Sequence, residues 1–72
     1  MITLYTRPAC GQCQATKRAL TSMGADFEII DISQNEEARQ HLIELGYESA
    51  PVVQTDTDMW SGFRLDRIKS AV

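Results

Sequence analysis

The sequence predicts a single α/β domain in which a mixed four-stranded sheet carries three helices, in the order β-α-β-α-β-β-α. Three observations lead there. Segments of strand-like alternation are separated by segments of helical spacing. The chain contains no linker, repeat or low-complexity stretch. Its 72 residues suffice for one core and one site, because a chain this short buries only roughly 60% of its unfolded surface. Residues 1–72 are therefore expected to form one domain.

The first strand is Met1-Ile2-Thr3-Leu4-Tyr5-Thr6, where Ile2 and Leu4 alternate with Thr3 and Tyr5 until the Arg7-Pro8 breaker. From Cys10 the period changes. Ala15, Ala19, Leu20 and Met23 share one helical face, Lys17 and Arg18 point away from it, and Gly24 supplies a left-handed C-terminal cap. Phe27 to Ile32 is rich in β-formers and reads as a second strand, parallel to the first because a helix connects them. Ser33-Gln34-Asn35-Glu36 fits a capping box, with Ser33 as the cap of a second helix whose face is Ala38, Leu42 and Leu45. Gly46 ends it. Pro51 then opens a short Val52-Val53-Gln54 strand, the polar Thr55-Asp56-Thr57 turn leads to Asp58-Met59-Trp60 as its hairpin partner, and a last helix runs from Asp66 to Ala71.

Composition narrows the function. Hydrophobic residues at 43% and charged residues at 24% exclude a disordered segment, a collagenous repeat and a cysteine-dense secreted scaffold. Apolar runs of two or three residues such as Ile29-Ile30 fall far short of the ~20 needed to cross a bilayer, and no charged start precedes an apolar signal core. The expectation is a soluble, cytoplasmic protein without a membrane partner. A net charge of −3 gives no field for phosphate backbones, so nucleic acid is not an expected partner either.

Chemistry is expected at Cys10 and Cys13, the only cysteines. A bridge closing so short a loop adds little stability, which makes the pair reactive rather than structural. A zinc site needs four ligands, and the one histidine, His41, lies mid-helix among Arg39, Gln40 and Glu44. It reads as a surface residue. The free N–H groups of a helix's first turn favour a thiolate and lower a thiol pKa from ~8.5 toward ~7 or below. Cys10, at the loop edge, should be exposed and act as the nucleophile, with Arg7 and Lys17 either close enough to add positive charge or plain solvated charges. Cys13, turned inward in the first turn, should resolve the mixed disulfide. Ala50-Pro51, directly before an apolar strand, is either a plain strand opener or a cis peptide beside the dithiol that leaves Ala50's backbone free for an extended substrate. Trp60 also has two readings, a plug between the hairpin and the last helix or a contact residue.

Cys10-Gly11-Gln12-Cys13 after Thr6-Arg7-Pro8, Ser49-Ala50-Pro51-Val52-Val53 forty residues on, and Trp60-Ser61-Gly62-Phe63-Arg64 near the end together resemble the NrdH-redoxins, glutaredoxin-like electron donors. The similarity covers essentially the full length, and Trp-Ser-Gly-Phe-Arg is its specific signal. The resemblance implies a thioredoxin fold, reduction by NADPH-dependent thioredoxin reductase, and electron delivery to the large subunit of a class Ib ribonucleotide reductase. It implies no bound cofactor beyond the Cys10-Cys13 disulfide, a monomer, and a partner-binding face made of Arg7, Gln12, Ala50, Pro51, Trp60, Ser61, Gly62, Phe63 and Arg64. Two positions depart from the family's pattern. Gly11 stands where a bulkier residue is common, which should loosen the loop, and Leu65 stands where proline is common, which leaves the start of the last helix less fixed.

Two rival readings stand beside this one. A glutathione-dependent glutaredoxin would hold the γ-glutamyl carboxylate on a Gly-Gly turn and would often have Pro-Tyr between the cysteines, whereas here Gly62 is single and Gly11-Gln12 fill the motif. A metal or iron-sulfur module formed by a dimer through Cys10 is the other.

Overall fold

The computed structural model describes all residues from Met1 to Val72. Its elements are β1 (Ile2–Thr6), α1 (Gly11–Ser22), β2 (Phe27–Asp31), α2 (Glu36–Glu44), β3 (Val52–Gln54), β4 (Met59–Ser61) and α3 (Leu65–Ala71). The order is the expected one, and the sheet is mixed, with strands arranged β2-β1-β3-β4. β1 runs parallel to β2, with Leu4 opposite Ile29, and antiparallel to β3, with Leu4 opposite Val53. The hairpin sets Val53 against Trp60.

Period-2 alternation sends the side chains of each strand to two faces, and each face has its own apolar cluster. On the side of α1 and α3, Leu4, Val53 and Trp60 pack with Leu20 and Ile68. On the side of α2, Tyr5 and Val52 pack with Leu42. Tyr5 keeps its phenol satisfied by donating to Gln54 Oε1 at 3.1 Å. Burial, reinforced by the Glu28 carboxylate, raises its pKa above the ordinary value.

Both long helices end in the same way. Gly24 and Gly46 adopt φ of +71° and +91°, and the following residues, Ala25 and Tyr47, reach back to Leu20 O and Leu42 O at 3.1 and 2.9 Å. These are Schellman closures that a residue with a Cβ adopts only under strain. The start of α2 differs from expectation. Asn35, not Ser33, is the cap: Asn35 Oδ1 accepts from Ala38 N at 3.0 Å. Ser33 is drawn away because its N–H and hydroxyl both donate to Asp31 Oδ1, at 2.9 and 2.6 Å. Asn35→Ala should therefore cost about 1 kcal/mol and lower Tm by about 4–8 °C. Thermal unfolding followed by circular dichroism checks this. Ser33→Ala should shift it far less, and the reverse ranking would return the cap to Ser33. Two smaller shifts also appear: β4 starts at Met59 rather than Asp58 and takes in Ser61, and α3 starts at Leu65.

No helix is long and apolar enough to cross a membrane.

Candidate redox-active site

β1 delivers the chain to the site and the Arg7 to Cys10 loop turns it into α1. The turn needs Ala9 at φ 54°, a left-handed conformation unusual for a residue with a side chain. Cys10 then caps α1 in extended backbone geometry. Cys10 and Cys13 form a disulfide, their Cα atoms 5.2 Å apart. The cap contact is made by sulfur: Cys13 N–H points at Cys10 Sγ across 3.2 Å. Once the bond is reduced, the same N–H and the partial positive charge of the helix end stabilise a thiolate at Cys10.

The expectation that Cys10 is exposed needs correction. It is 8% accessible, and Cys13 is 1% accessible. A segment forty residues away covers it, with Ala50 O at 3.8 Å from Cys10 Sγ. The ranking of the two cysteines holds, with Cys10 the more accessible. Beneath them Thr16 is fully buried and donates its hydroxyl to Gln12 O at 2.8 Å. This tie within the first turn of α1 was missed in the sequence. Its signal is a hydroxyl residue four positions after Gln12, on the helix face that carries Leu20.

Ala50–Pro51 is a cis peptide, the sharper of its two readings. Pro51 is buried, and its carbonyl accepts from Gly62 N at 2.8 Å. Gly62 adopts φ +84°, and a Cβ placed there would lie 3.7 Å from Gln12 Oε1. The proline turn and the end of the hairpin are thus joined by a hydrogen bond, with the Gln12 side chain of the cysteine loop close by. Ala50 makes no backbone–backbone hydrogen bond. Its N–H is free for a strand-like ligand beside the sulfur, and its C=O faces Cys10 Sγ at 3.8 Å.

The remaining residues separate. Ser61, Phe63 and Arg64 are exposed, Phe63 at 40%. Arg64 donates to Asp66 Oδ2 at 3.4 Å. Desolvation acts upward on Asp66, but that hydrogen bond and the backbone N–H of Arg67 outweigh it and hold the carboxyl below its usual range. Trp60 does not belong to the contact face. It is 4% accessible, packs with Leu4, Leu20, Val53 and Ile68, and lies under the Arg67 guanidinium, 5.9 Å from the ring centroid. Arg67 is itself held by Asp58, at 3.0 and 3.1 Å. The pairing of Trp60 with Val53 turns its ring onto the α1 and α3 face, so it is the plug of the two readings.

Arg7 is exposed and lines a small cavity that also touches Cys13 and Lys17. His41 lines a separate groove with Tyr5, Glu37 and Glu44, where α2 covers the opposite face of the sheet. A Cβ on Gly11 would meet nothing within 4 Å. α3 begins without a side-chain cap at Arg64.

Residues 2–60 match the sequence profile of the family described as Glutaredoxin. The chain belongs to that family. Within it, the chain is similar to the glutaredoxin-like protein NrdH of Escherichia coli strain K12, 48% identical over 67 residues that span 93% of this chain and 83% of that one. It is 36% identical to the glutaredoxin-like protein NrdH of Lactococcus lactis strain IL1403, over 89% of each chain. The solved structure of the E. coli NrdH-redoxin superposes with a TM-score of 0.96 at 45% identity, covering 99% of this chain and 93% of that one. The protein is accordingly an NrdH-like glutaredoxin with the thioredoxin fold and a dithiol oxidoreductase centre at Cys10 and Cys13. Such a dithiol carries two electrons, one pair for each disulfide it reduces.

Proposed function

We propose that this NrdH-like glutaredoxin is a cytoplasmic, monomeric electron carrier with no bound cofactor, reduced by NADPH-dependent thioredoxin reductase and oxidised by the large subunit of a class Ib ribonucleotide reductase. The observation that carries the reading is the open backbone of Ala50 lying 3.8 Å from Cys10 Sγ. An extended tail bearing a disulfide can pair there as an added strand and bring its sulfur to Cys10. Cys10 thiolate attacks that sulfur and displaces the first substrate thiolate, which takes up a proton. Cys13 thiolate then attacks Cys10 Sγ, releases the second substrate thiol and closes the Cys10–Cys13 disulfide. The reductase returns two electrons and two protons.

The choice of donor rests on the end of the hairpin. Gly62 is followed by Phe63 rather than a second glycine, so the turn on which glutaredoxins hold glutathione's γ-glutamyl carboxylate is incomplete. The related E. coli NrdH-redoxin, whose activity profile is thioredoxin-like, supports the same choice. Reduction with NADPH and thioredoxin reductase should saturate as an ordinary enzyme reaction, whereas millimolar glutathione with its own reductase should regenerate the dithiol only slowly. Efficient glutathione turnover with no response to the reductase would make the protein a glutathione-dependent glutaredoxin instead.

The downstream partner is tested at Phe63, the exposed aromatic beside the site. Phe63→Ala should slow reduction of the ribonucleotide reductase several-fold and leave the reaction with a small disulfide nearly unchanged, because removing a contact need not alter the thiolate. Equal loss on both substrates would assign Phe63 to the fold.

A further inference from the structure

Between the start of α1 and the ends of β1 and β2, the molecule has a surface cavity of about 320 Å³ whose wall includes Cys13. Arg7 from the loop after β1 and Lys17 from α1 stand on the same wall. The chain as a whole is acidic, at −3, and these two cations, like Arg18 and Lys69, form no ion pair, while Arg39, Arg64 and Arg67 are all engaged with acids. Asp31 is the one acid in the wall, and its Oδ1 already accepts both hydrogen bonds from Ser33. The exposed side chain of Ile29 completes the rim with an apolar surface. The cavity therefore presents excess positive charge beside the resolving sulfur, with apolar contact for a short aliphatic stem.

We propose that this cavity receives an acidic side chain flanking the disulfide of the protein substrate, making Arg7 and Lys17 determinants of substrate choice. The inference rests on the carrier reading above and adds the charge of the sequence that the carrier prefers. The reach is adequate. A substrate sulfur bonded to Cys10 places its chain beside Ala50, Cys13 lies 5.2 Å from Cys10 between Cα atoms, and a neighbouring substrate residue begins ~3.8 Å from the bonded one. Its carboxylate then meets a wall with two cations against the single Asp31 carboxylate, at the moment when the mixed disulfide waits for Cys13.

The test needs no reductase or ribonucleotide reductase. Short neutral peptides with one cysteine capped as a 2-thiopyridyl disulfide, and with Glu, Gln or Lys immediately before or after that cysteine, are mixed with protein reduced by dithiothreitol and then desalted. Cys10 thiolate attacks the peptide sulfur, the bond to the thiopyridine breaks, and the 2-thiopyridone that leaves is read by absorbance. Cys13 then expels the peptide thiol. At low salt the Glu peptide should react several-fold faster than the Gln peptide on at least one flank, the Lys peptide slower, with the preference shrinking toward one near 1 M salt as the Debye length falls to about 3 Å. Lys17→Gln should reduce the Glu over Gln ratio and Lys17→Glu should invert it, the ratio cancelling any change in thiolate reactivity that both peptides share. Lys69→Glu, the same charge change on α3, should leave most of the ratio intact. Equal shifts in Lys17→Glu and Lys69→Glu, or a wild-type ratio of one on both flanks, would overturn the cavity's role. Failure of every variant to attack even the Gln peptide would overturn the carrier reading and this inference with it.

Discussion

Replacing Cys10 by serine should take disulfide reduction down to the uncatalysed background, whereas Cys13→Ser should still attack and then stall as a mixed disulfide. The asymmetry follows from geometry. Cys10 Sγ occupies the cap position, receives the Cys13 N–H at 3.2 Å and belongs to the more accessible residue of the pair. Cys13, all but fully enclosed, meets only a sulfur already bonded to Cys10. Mass spectrometry of Cys13→Ser after exposure to a disulfide should show the protein plus one half of the reagent. Trapping of Cys10→Ser through Cys13 at a comparable rate would reverse the roles.

The second large effect is on stability. Trp60→Ala removes the largest side chain of the cluster formed with Leu4, Leu20, Val53 and Ile68, and truncations of this kind cost about 3–5 kcal/mol. A domain of this size has roughly 4–11 kcal/mol in total. The variant should therefore lose a large share of its stability, with Tm falling by tens of degrees at about 4–8 °C per kcal/mol. Trp60→Phe should be much milder, since it keeps a ring in the cluster and deletes Nε1, which is buried without a hydrogen-bond partner. Denaturant titrations followed by circular dichroism separate the two. A Trp60→Ala protein within about 1 kcal/mol of wild type would show that the ring contributes little to the core.

Local pattern made much of this molecule legible in its sequence. The alternation at Ile2 and Leu4, the helical spacing of Ala19, Leu20 and Met23, and glycine at positions 24 and 46 each report on neighbours within a few residues, and all appear in the structure as read. The dithiol was legible because its spacing and its place after a strand are also local. What failed was decided by distant or competing partners. Cys10 is covered by Ala50, forty residues on. Ser33 and Asn35 are both good caps, and Asp31 decides between them by taking the serine. Trp60 lies in a strand of three residues, too short for alternation to reveal its face, and its pairing with Val53 sets that face. The cation-lined cavity was only half visible: Arg7 and Lys17 could be placed near the dithiol, but the absence of ion-pair partners is a property of the folded surface.

Ala9 carries the chain into Cys10 at φ 54°, where a Cβ crowds the following carbonyl at a cost of roughly 1–2 kcal/mol. Glycine there would relieve the crowding, yet it would also enlarge the unfolded ensemble by an amount worth about 0.4–1 kcal/mol. The relief equals or exceeds the entropy cost, by up to about 1.6 kcal/mol. Durability and reactivity are thus separable at this hinge: an Ala9→Gly protein would melt no lower than the parent does while its nucleophile swings on a looser tether. A branched side chain is closed off by the same crowding, which leaves evolution a narrow alphabet at the residue that aims the sulfur.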